Sequence, residues 1–367
     1  MIRVLQYVES LGTGGIQSFL MTVYRHIDRE RVQFDFLLQR RFNNDYEREV
    51  EELGGKLYFL PPRREGLRKS RKALANFFAE HPEYKTVHIH VSSLTYIDPL
   101  IAAQKAGVPQ RIVHSHNTRA SGSKIHTLLH RLNQKRVGRV ATEYYACSDL
   151  AADWFYGNGA LREKAVLIAN VINSTKFAYD EAVRQSYRRE NGWENKTVLG
   201  HVGRFHHQKN HLYLIDIFHA YVKTDDSAML VLVGDGGLRP SIEEKVKSLG
   251  LEDRVCFLGD RSDVAELLQA FDLFLLPSHH EGFPVTMVEA QAAGLHCVSS
   301  DTVTDTSDLT GMVTFCSIDQ PADAWVKPIA AALARGRNAS AIEQIRSAGF
   351  DAADVAENLC ETYSRVY

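Results

Sequence analysis

Cysteine is scarce in this chain, and what there is cannot build a framework. Cys147, Cys256, Cys297, Cys316 and Cys360 are scattered, odd in number and free of any C-x-x-C pair. That excludes a disulfide scaffold, argues against structural zinc and points to a reducing, cytoplasmic setting. Long apolar runs are missing too. None approaches the roughly 18 residues a membrane-spanning helix needs. The opening "MIRVLQYVES" alternates into a strand and lacks the pattern of a secretory signal. Internal repeats of solenoid length and low-complexity tracts are absent. No nucleic-acid motif appears, and the basic excess is only local, so nucleic acid is not an expected partner.

What is present reads as a soluble two-domain chain. It has 367 residues, 44% hydrophobic and 24% charged, too long for one ordinary core. The net charge of −2 hides an asymmetry: residues 1–170 carry 25 Lys+Arg against 17 Asp+Glu, the rest 18 against 28. Opposite signs in the two halves fit either domains with different partners or halves that attract each other. Short apolar runs such as "IRVLQYVE", "TVHIHVS", "AMLVLVGD" and "LFLLPS" alternate with helical patterns throughout, and this βαβα rhythm occurs twice. The pattern lapses near "NVINSTKFAYD", which places a hinge at about residues 171–177. The expected division is a Rossmann-like domain over 1–172, a second Rossmann-like domain over 173–350, and an amphipathic helix over 351–367 free to pack back on the first. Two such doubly wound α/β sheets facing each other enclose an interdomain cleft, with ligands beyond the carboxyl ends of the strands.

The densest chemistry lies in "HHEGFPVTMVEAQAAG", residues 279–294. Pro284 suits the start of a helix, whose first amides favour an anion. Glu281 precedes that helix and Glu289 lies about one turn inside it, while Ala290, Ala292, Ala293 and Gly294 let it press on the sheet. Paired carboxylates accept hydrogen bonds from vicinal diols, as in sugars and ribose. A diphosphate needs cations, and "VGRFHHQKNH" supplies Arg204 and Lys209 after another strand. "LVLVGDGGLRP" adds Gly234, Gly236 and Gly237, where backbone can approach a ligand, and "FLGDRSDV" places Arg261 in a loop suited to a base edge. Read singly, Arg204 and Lys209 are surface charges, Glu281 a loop solvation group and Glu289 a local cap. Read together, they form a site.

With Arg204-x4-Lys209, Glu281-x7-Glu289, the glycine loop "SLGTGGIQ" and the segment "RIVHSHNT", the chain resembles the family 4 glycosyltransferases. These are retaining enzymes of the GT-B fold, and the likeness is greatest to bacterial exopolysaccharide and capsule members. It runs through nearly the whole chain. It implies transfer of a sugar from a nucleotide-diphosphate donor, a UDP-sugar, to a glycan or polyprenyl-diphosphate-linked acceptor. By resemblance, Gly203, Arg204 and Lys209 attend the diphosphate, Glu289 the ribose, and Glu281 the transferred sugar. Gly282, Phe283, Pro284, Val285 and Thr286 provide backbone nearby, Gly234 and Arg261 complete the donor site, and His116 lies near the reacting centre. No D-x-D motif follows any predicted strand, so no metal or other cofactor is expected. His279 and His280 depart from the residues the family often carries there.

In the first half, Gly14 and Gly15 lie by resemblance against donor phosphates or acceptor; as residues alone they read equally as a tight turn. His88, His90, His114 and His116 alternate on two neighbouring predicted strands and read as partly buried, hydrogen-bonded side chains rather than a metal cluster. Two basic stretches remain. One has Arg63, Arg64, Arg68, Lys69, Arg71 and Lys72 beside Leu67, Leu74, Phe77 and Phe78; the other has Lys124, Arg131, Lys135, Arg136 and Arg139. Both suit an anionic membrane surface or a lipid diphosphate, and both suit a solvated helix face. The expected protein is cytoplasmic, with peripheral contact at the inner membrane face. The rival readings are a non-catalytic nucleotide-sugar-binding protein, and an epimerase or phosphorylase on the same fold.

Overall fold

Strands that are apolar at every position need cover on both faces, and parallel sheets flanked by helices give it. Residues Leu273–Leu276 are buried at all four positions, and each large side chain contributes about 1.5–3 kcal/mol of apolar burial. The computed structural model describes residues 1–12, 14–117 and 124–367. The chain divides into two units, Met1–Val171 with Ala352–Tyr367, and Ile172–Asp351.

The first unit runs β1 (Ile2–Tyr7), α1 (Gly15–His26), β2 (Val32–Leu38), α2 (Asp45–Glu52), β3 (Leu57–Phe59), α3 (Leu67–Glu80), β4 (Thr86–Val91) and α4 (Asp98–Lys105). It continues through β5 (Gln110–Ser115), α5 (Lys124–Val140), β6 (Glu143–Ala146), α6 (Asp149–Tyr156), α7 (Ala160–Glu163) and β7 (Val166–Leu167). The strands are parallel in the order β3-β2-β1-β4-β5-β6-β7, so the winding reverses between β1 and β4. The apolar stretch at 165–170 forms only the two-residue β7, at the sheet's edge with both residues exposed.

The second unit begins with α8 (Ser174–Phe177) and α9 (Glu181–Glu190), then β8 (Thr197–Val202), α10 (His211–Tyr221), β9 (Ala228–Val233), α11 (Arg239–Ser248) and β10 (Val255–Gly259). It goes on through α12 (Val264–Ala270), β11 (Leu273–Leu276), α13 (Val285–Ala292), β12 (His296–Ser300), β13 (Val313–Cys316), α14 (Val326–Ala334) and α15 (Ala341–Ser347). Its parallel order is β10-β9-β8-β11-β12-β13, with the reversal between β8 and β11. Small residues set the helix-to-sheet distances. Ala290, Ala292 and Ala293 are buried, and Gly294, at φ 74°, ends α13 where a Cβ would meet the Asn338 carbonyl oxygen at 2.8 Å.

After Asp351 the chain forms α16 (Ala352–Ser364), which packs against α1 and β1 of the first unit. Val355, Leu359 and Tyr363 are buried there among Phe34, Phe36 and Tyr24. Arg31 and Glu357 pair across its exposed side at 2.8 Å.

Candidate functional site

In an open parallel sheet the crevice lies beyond the carboxyl ends of the strands where the winding reverses. In the second unit that point is flanked by the segments following β8 and β11. Arg204 and Lys209 come from the first, Ser278 and Glu281 from the second. After β8 the backbone turns through His207–Lys209, then Asn210 takes a left-handed conformation at φ 56°, which asparagine tolerates. That turn carries Lys209 back toward the loop after β11. Lys209 Nζ donates to Glu281 Oε1 at 2.8 Å, with the side chains only 17% and 7% exposed. Gln208 Nε2 donates to Glu281 Oε2 at 3.1 Å, and Ser278 Oγ to Oε1 at 2.6 Å. The His279 amide donates to the Gln208 carbonyl at 2.8 Å, tying the two segments together, and the rings of His207 and His279 stack with centroids 4.6 Å apart. Ser300 and Thr302 hydroxyls hold the Ser278 carbonyl at 2.6 and 2.7 Å. The Glu281 carboxylate is therefore fixed from three sides.

Gly203 serves the same packing: a Cβ there would sit 3.0 Å from His201 Nε2 and 3.2 Å from the Lys209 stem. The glycines after β9 serve a neighbour. A Cβ on Gly234 would come within 2.3 Å of the Gly203 carbonyl oxygen, and one on Gly236 within 2.5 Å of that of Phe205. Close approach here joins two loops of the protein, whereas Gly237 has open space around it. Arg204 is exposed, and no described residue pairs with its guanidinium. Arg261 is engaged already: it forks onto Asp263 at 2.8 and 2.6 Å and reaches the Tyr187 hydroxyl at 3.3 Å.

Pro284 occupies the position before α13, which begins at Val285. The Val285 amide already donates to the Phe283 carbonyl at 3.0 Å, so the amides from Phe283 to Thr286 are not all available to a ligand. Phe283 stacks on Phe350 with centroids 5.1 Å apart, and the Thr286 hydroxyl is buried with no partner among the described residues. Gly282 is exposed in the loop. Glu289 lies one turn into α13. Burial pushes its carboxyl up to about 7, with the Lys176 ammonium opposing the shift.

In the first unit the four histidines meet on one face of the sheet, because β4 and β5 pair His90 with His114 and side chains repeat every second residue. They are more enclosed than partly buried strand side chains: His88, His90 and His114 are fully buried. The cause is the cover given by Phe19 of α1 and Tyr363 of α16. Burial drives His88, His90 and His114 well below the ordinary imidazole range and His116 down to about 3, so all four are neutral at pH 7.

Their tautomers follow from the partners. His90 Nε2 donates to Gln6 Oε1 at 2.9 Å, so His90 Nδ1 must accept, and His116 Nε2 donates to it at 2.9 Å. Gln6 Nε2 donates to the Tyr363 hydroxyl at 3.5 Å, which donates to His88 Nδ1 at 2.7 Å. A relay thus runs from α16 through β1 and β4 to His116. One nitrogen from each of His88, His90 and His114 lies within 4.8 Å of the others. Gly14 and Gly15 line a cavity together with His90. Thr13 of the glycine loop and Thr118 of the histidine segment lie outside the described residues.

Sequence reasoning missed Ser278 and Gln208, the supports of Glu281, although each is within three residues of a predicted site residue. It missed Lys176, which no local pattern links to Glu289.

The chain is similar to known proteins. The family described as "Glycosyl transferases group 1" matches residues 183–344. The putative glycosyltransferase EpsF of Bacillus subtilis is 34% identical over 374 residues, covering 99% of this chain and 96% of its own. An Escherichia coli UDP-Gal:alpha-D-GlcNAc-diphosphoundecaprenol alpha-1,3-galactosyltransferase is 30% identical over 66% of both chains. In fold, the chain is similar to Anabaena HepE, solved in complex with UDP, at a TM-score of 0.79 and 20% identity over 99% of this chain and all of that one. By these likenesses, this chain belongs to the group 1 glycosyl transferases and has their GT-B fold.

Proposed function

We propose that this glycosyltransferase moves a sugar from a UDP-sugar to a lipid-diphosphate-linked or glycan acceptor in bacterial surface polysaccharide synthesis, with retention of anomeric configuration and without a metal ion. The observation that carries the donor site is the Lys209–Glu281 pair, braced by Gln208 and Ser278 at the β8/β11 reversal. Lys209 has three donor protons, and the pair uses one. The others, with the Arg204 fork, face charge that grows on the departing diphosphate, the largest electrostatic demand of the reaction. Glu281 accepts from hydroxyls of the transferred sugar and Glu289 from the ribose diol. As the bond from the anomeric carbon to phosphate oxygen breaks, the bond to the acceptor oxygen forms on the same face. The acceptor's proton passes to the leaving phosphate oxygen, so no carboxylate nucleophile is used.

A panel of nucleotide sugars incubated with lipid-linked acceptors in EDTA tests this reading. Transfer that stops in EDTA and returns with Mg²⁺ or Mn²⁺ removes the metal-independent reading. A β-linked product from an α-linked donor, seen by NMR, removes retention.

The acceptor's carrier lipid also calls for a membrane-facing surface, and α5 suits it better than α3. On α3, Lys69 pairs with Glu65 at 2.7 Å and Arg71 with Asp98 at 3.0 Å, which neutralises half of the cluster Arg68, Lys69, Arg71 and Lys72. Helix α5 has five Lys and Arg and no acid. Its Ile125, Leu128 and Leu132 are 68%, 57% and 47% exposed on neighbouring turns. An exposed apolar stripe on a helix with five cations and no acid fits the headgroup layer of an anionic bilayer.

A further inference from the structure

The second unit has a cavity of about 740 Å³ at the amino-terminal ends of its strands. Thr197, which begins β8, and Asp272, just before β11, lie in its wall, whereas Lys209 and Glu281 follow the other ends of those strands. At about 3.3 Å per residue, β8 separates the two places by roughly 20 Å. A volume in this range suits a small molecule. The charged side chains of the wall are Arg184, Arg188, Lys196, Arg337, Asp225 and Asp272.

Three guanidinium groups meet there on shared acceptors. Arg184 Nη1 and Arg337 Nη2 both donate to the Gln269 carbonyl, at 3.0 and 2.5 Å, and both to that of Phe271, at 2.8 and 2.6 Å. Arg184 and Arg188 both donate to the Ala270 carbonyl, at 3.3 and 2.7 Å, and both pair with Asp272. Arg188 also donates to the Lys196 carbonyl, and Arg337 lies 4.2 Å from the centre of the Tyr179 ring. The shared carbonyls belong to the carboxyl end of α12, which carries about half a negative charge at most. With Asp272, roughly 1.5 negative charges thus face three positive ones. Burial and then the charge of Arg184 push Arg337 down to about 10. The other acids nearby are occupied with neutral groups. Asp225 accepts from the Ser227 amide and hydroxyl at 2.9 and 2.6 Å, and Glu181 from the Tyr179 hydroxyl and Gln185. Among the described residues, neither forms an ion pair with the four cations, the Lys196 ammonium has no partner, and the Nε–H of each of the three arginines has no acceptor.

We propose that this cavity is a second binding site, separate from the β8/β11 crevice, for a small molecule that bears a phosphate or diphosphate group. The arginines are already fixed by backbone, so they need no reordering to bind, and their unused N–H groups take phosphoryl oxygens. Planar guanidinium recognises such oxygens in pairs, and the Lys196 ammonium adds a compact charge. Capping α12 accounts for one cation; it does not account for three converging on one carboxylate. The proposal does not depend on the transferase reading above.

The test is calorimetry with inorganic pyrophosphate in phosphate-free buffer, with UDP saturating so that the β8/β11 crevice is filled. The parent should bind one pyrophosphate per chain, and hydrogen exchange should slow in residues 179–197 and 333–337. Lys196→Gln removes an exposed charge and should weaken binding at least about tenfold, the worth of one charge-assisted hydrogen bond. Arg337→Lys keeps the charge, loses the fork and should also weaken it; thermal melting checks its fold, and Lys196→Gln decides alone if that fold is lost. Arg204→Gln, at the other ends of the strands, should leave the affinity within about twofold. A parent that binds no pyrophosphate overturns the proposal, as does affinity unchanged by Lys196→Gln. Binding weakened as much by Arg204→Gln as by Lys196→Gln overturns it too, because the probe then occupies the β8/β11 crevice. Acetate that displaces pyrophosphate at equal concentration also overturns it, because the cavity then answers to charge alone and not to phosphate.

Discussion

Glu289 is kept in a place that disfavours its charge, and that has a measurable consequence for stability. Burial raises its carboxyl from 4.5 to about 7, opposed by the Lys176 ammonium. Between about pH 4.5 and 7 the unfolded chain ionises this group while the folded protein keeps it protonated. Folding therefore loses stability across that window and the loss is complete above pH 7. The shift is about 2.5 units, and at 1.36 kcal/mol per unit the loss is about 3 kcal/mol. Glu289→Gln removes the titration and keeps the shape. In thermal melts the variant should match the parent near pH 4 and exceed it by roughly 6–12 °C at pH 8, using about 2–4 °C per kcal/mol for a domain of this size. A difference in Tm that is the same at pH 4 and pH 8, or a parent that melts higher at pH 8, refutes the reasoning. The same carboxylate gains hydrogen bonds from a ribose diol in the proposed complex, so the stabilised variant should bind UDP more weakly than the parent. Sites commonly trade stability for function in this way.

Other predictions follow from named contacts. Lys209→Ala leaves the nearly buried Glu281 carboxylate without its cation and should cost about 1–3 kcal/mol in urea unfolding; adding Glu281→Gln should recover part of it, and strictly additive effects would deny the coupling. Glu281→Gln should leave the affinity for bare UDP intact and lower transfer, whereas Glu289→Gln should lower UDP affinity; calorimetry in which neither variant differs from the parent would contradict that division. Tyr363→Phe strands His88 Nδ1 and should cost about 1–3 kcal/mol, read as a lower urea midpoint at unchanged slope. Replacing Lys124, Arg131, Lys135 and Arg139 with glutamine should release the protein from acidic vesicles, at about 1 kcal/mol per residue, as should raised salt; equal flotation of parent and variant leaves α5 a solvated face.

The fold was legible because the evidence for it is local and repeated. A strand such as "AMLVLV" buried on both faces reads as a continuous apolar run, and the glycine, proline and charged stretches between runs punctuate it. The same rhythm led to candidate residues just after strands, where Arg204, Lys209 and Glu281 do stand. What escaped was whatever depends on two distant segments meeting. Lys209 and Glu281 are 72 residues apart, and assigning one to phosphate and the other to sugar gave no hint that they bond each other. The period-two spacing of His88, His90, His114 and His116 put them on one face but not under α1 and α16, and it is that cover which buries them. Gly234 and Gly236 carry the same blindness: a glycine reports that something comes close, and here the close object is the backbone of Gly203 to Phe205. Arg261 looked free in a polar loop, yet Asp263, two residues on, takes both arms of its fork.

The central claim is that the second unit's crevice holds a nucleotide sugar whose sugar the protein moves. Mass spectrometry of a lipid-diphosphate-linked acceptor, after incubation with each of a panel of UDP-sugars, tests it most directly. With the parent protein, at least one donor should give an acceptor heavier by one sugar residue, together with an equal amount of UDP, and Lys209→Ala should reduce that product at least about tenfold, the loss expected of a charge that stabilises the leaving diphosphate. UDP that binds to the parent while no acceptor gains mass with any donor would contradict the account.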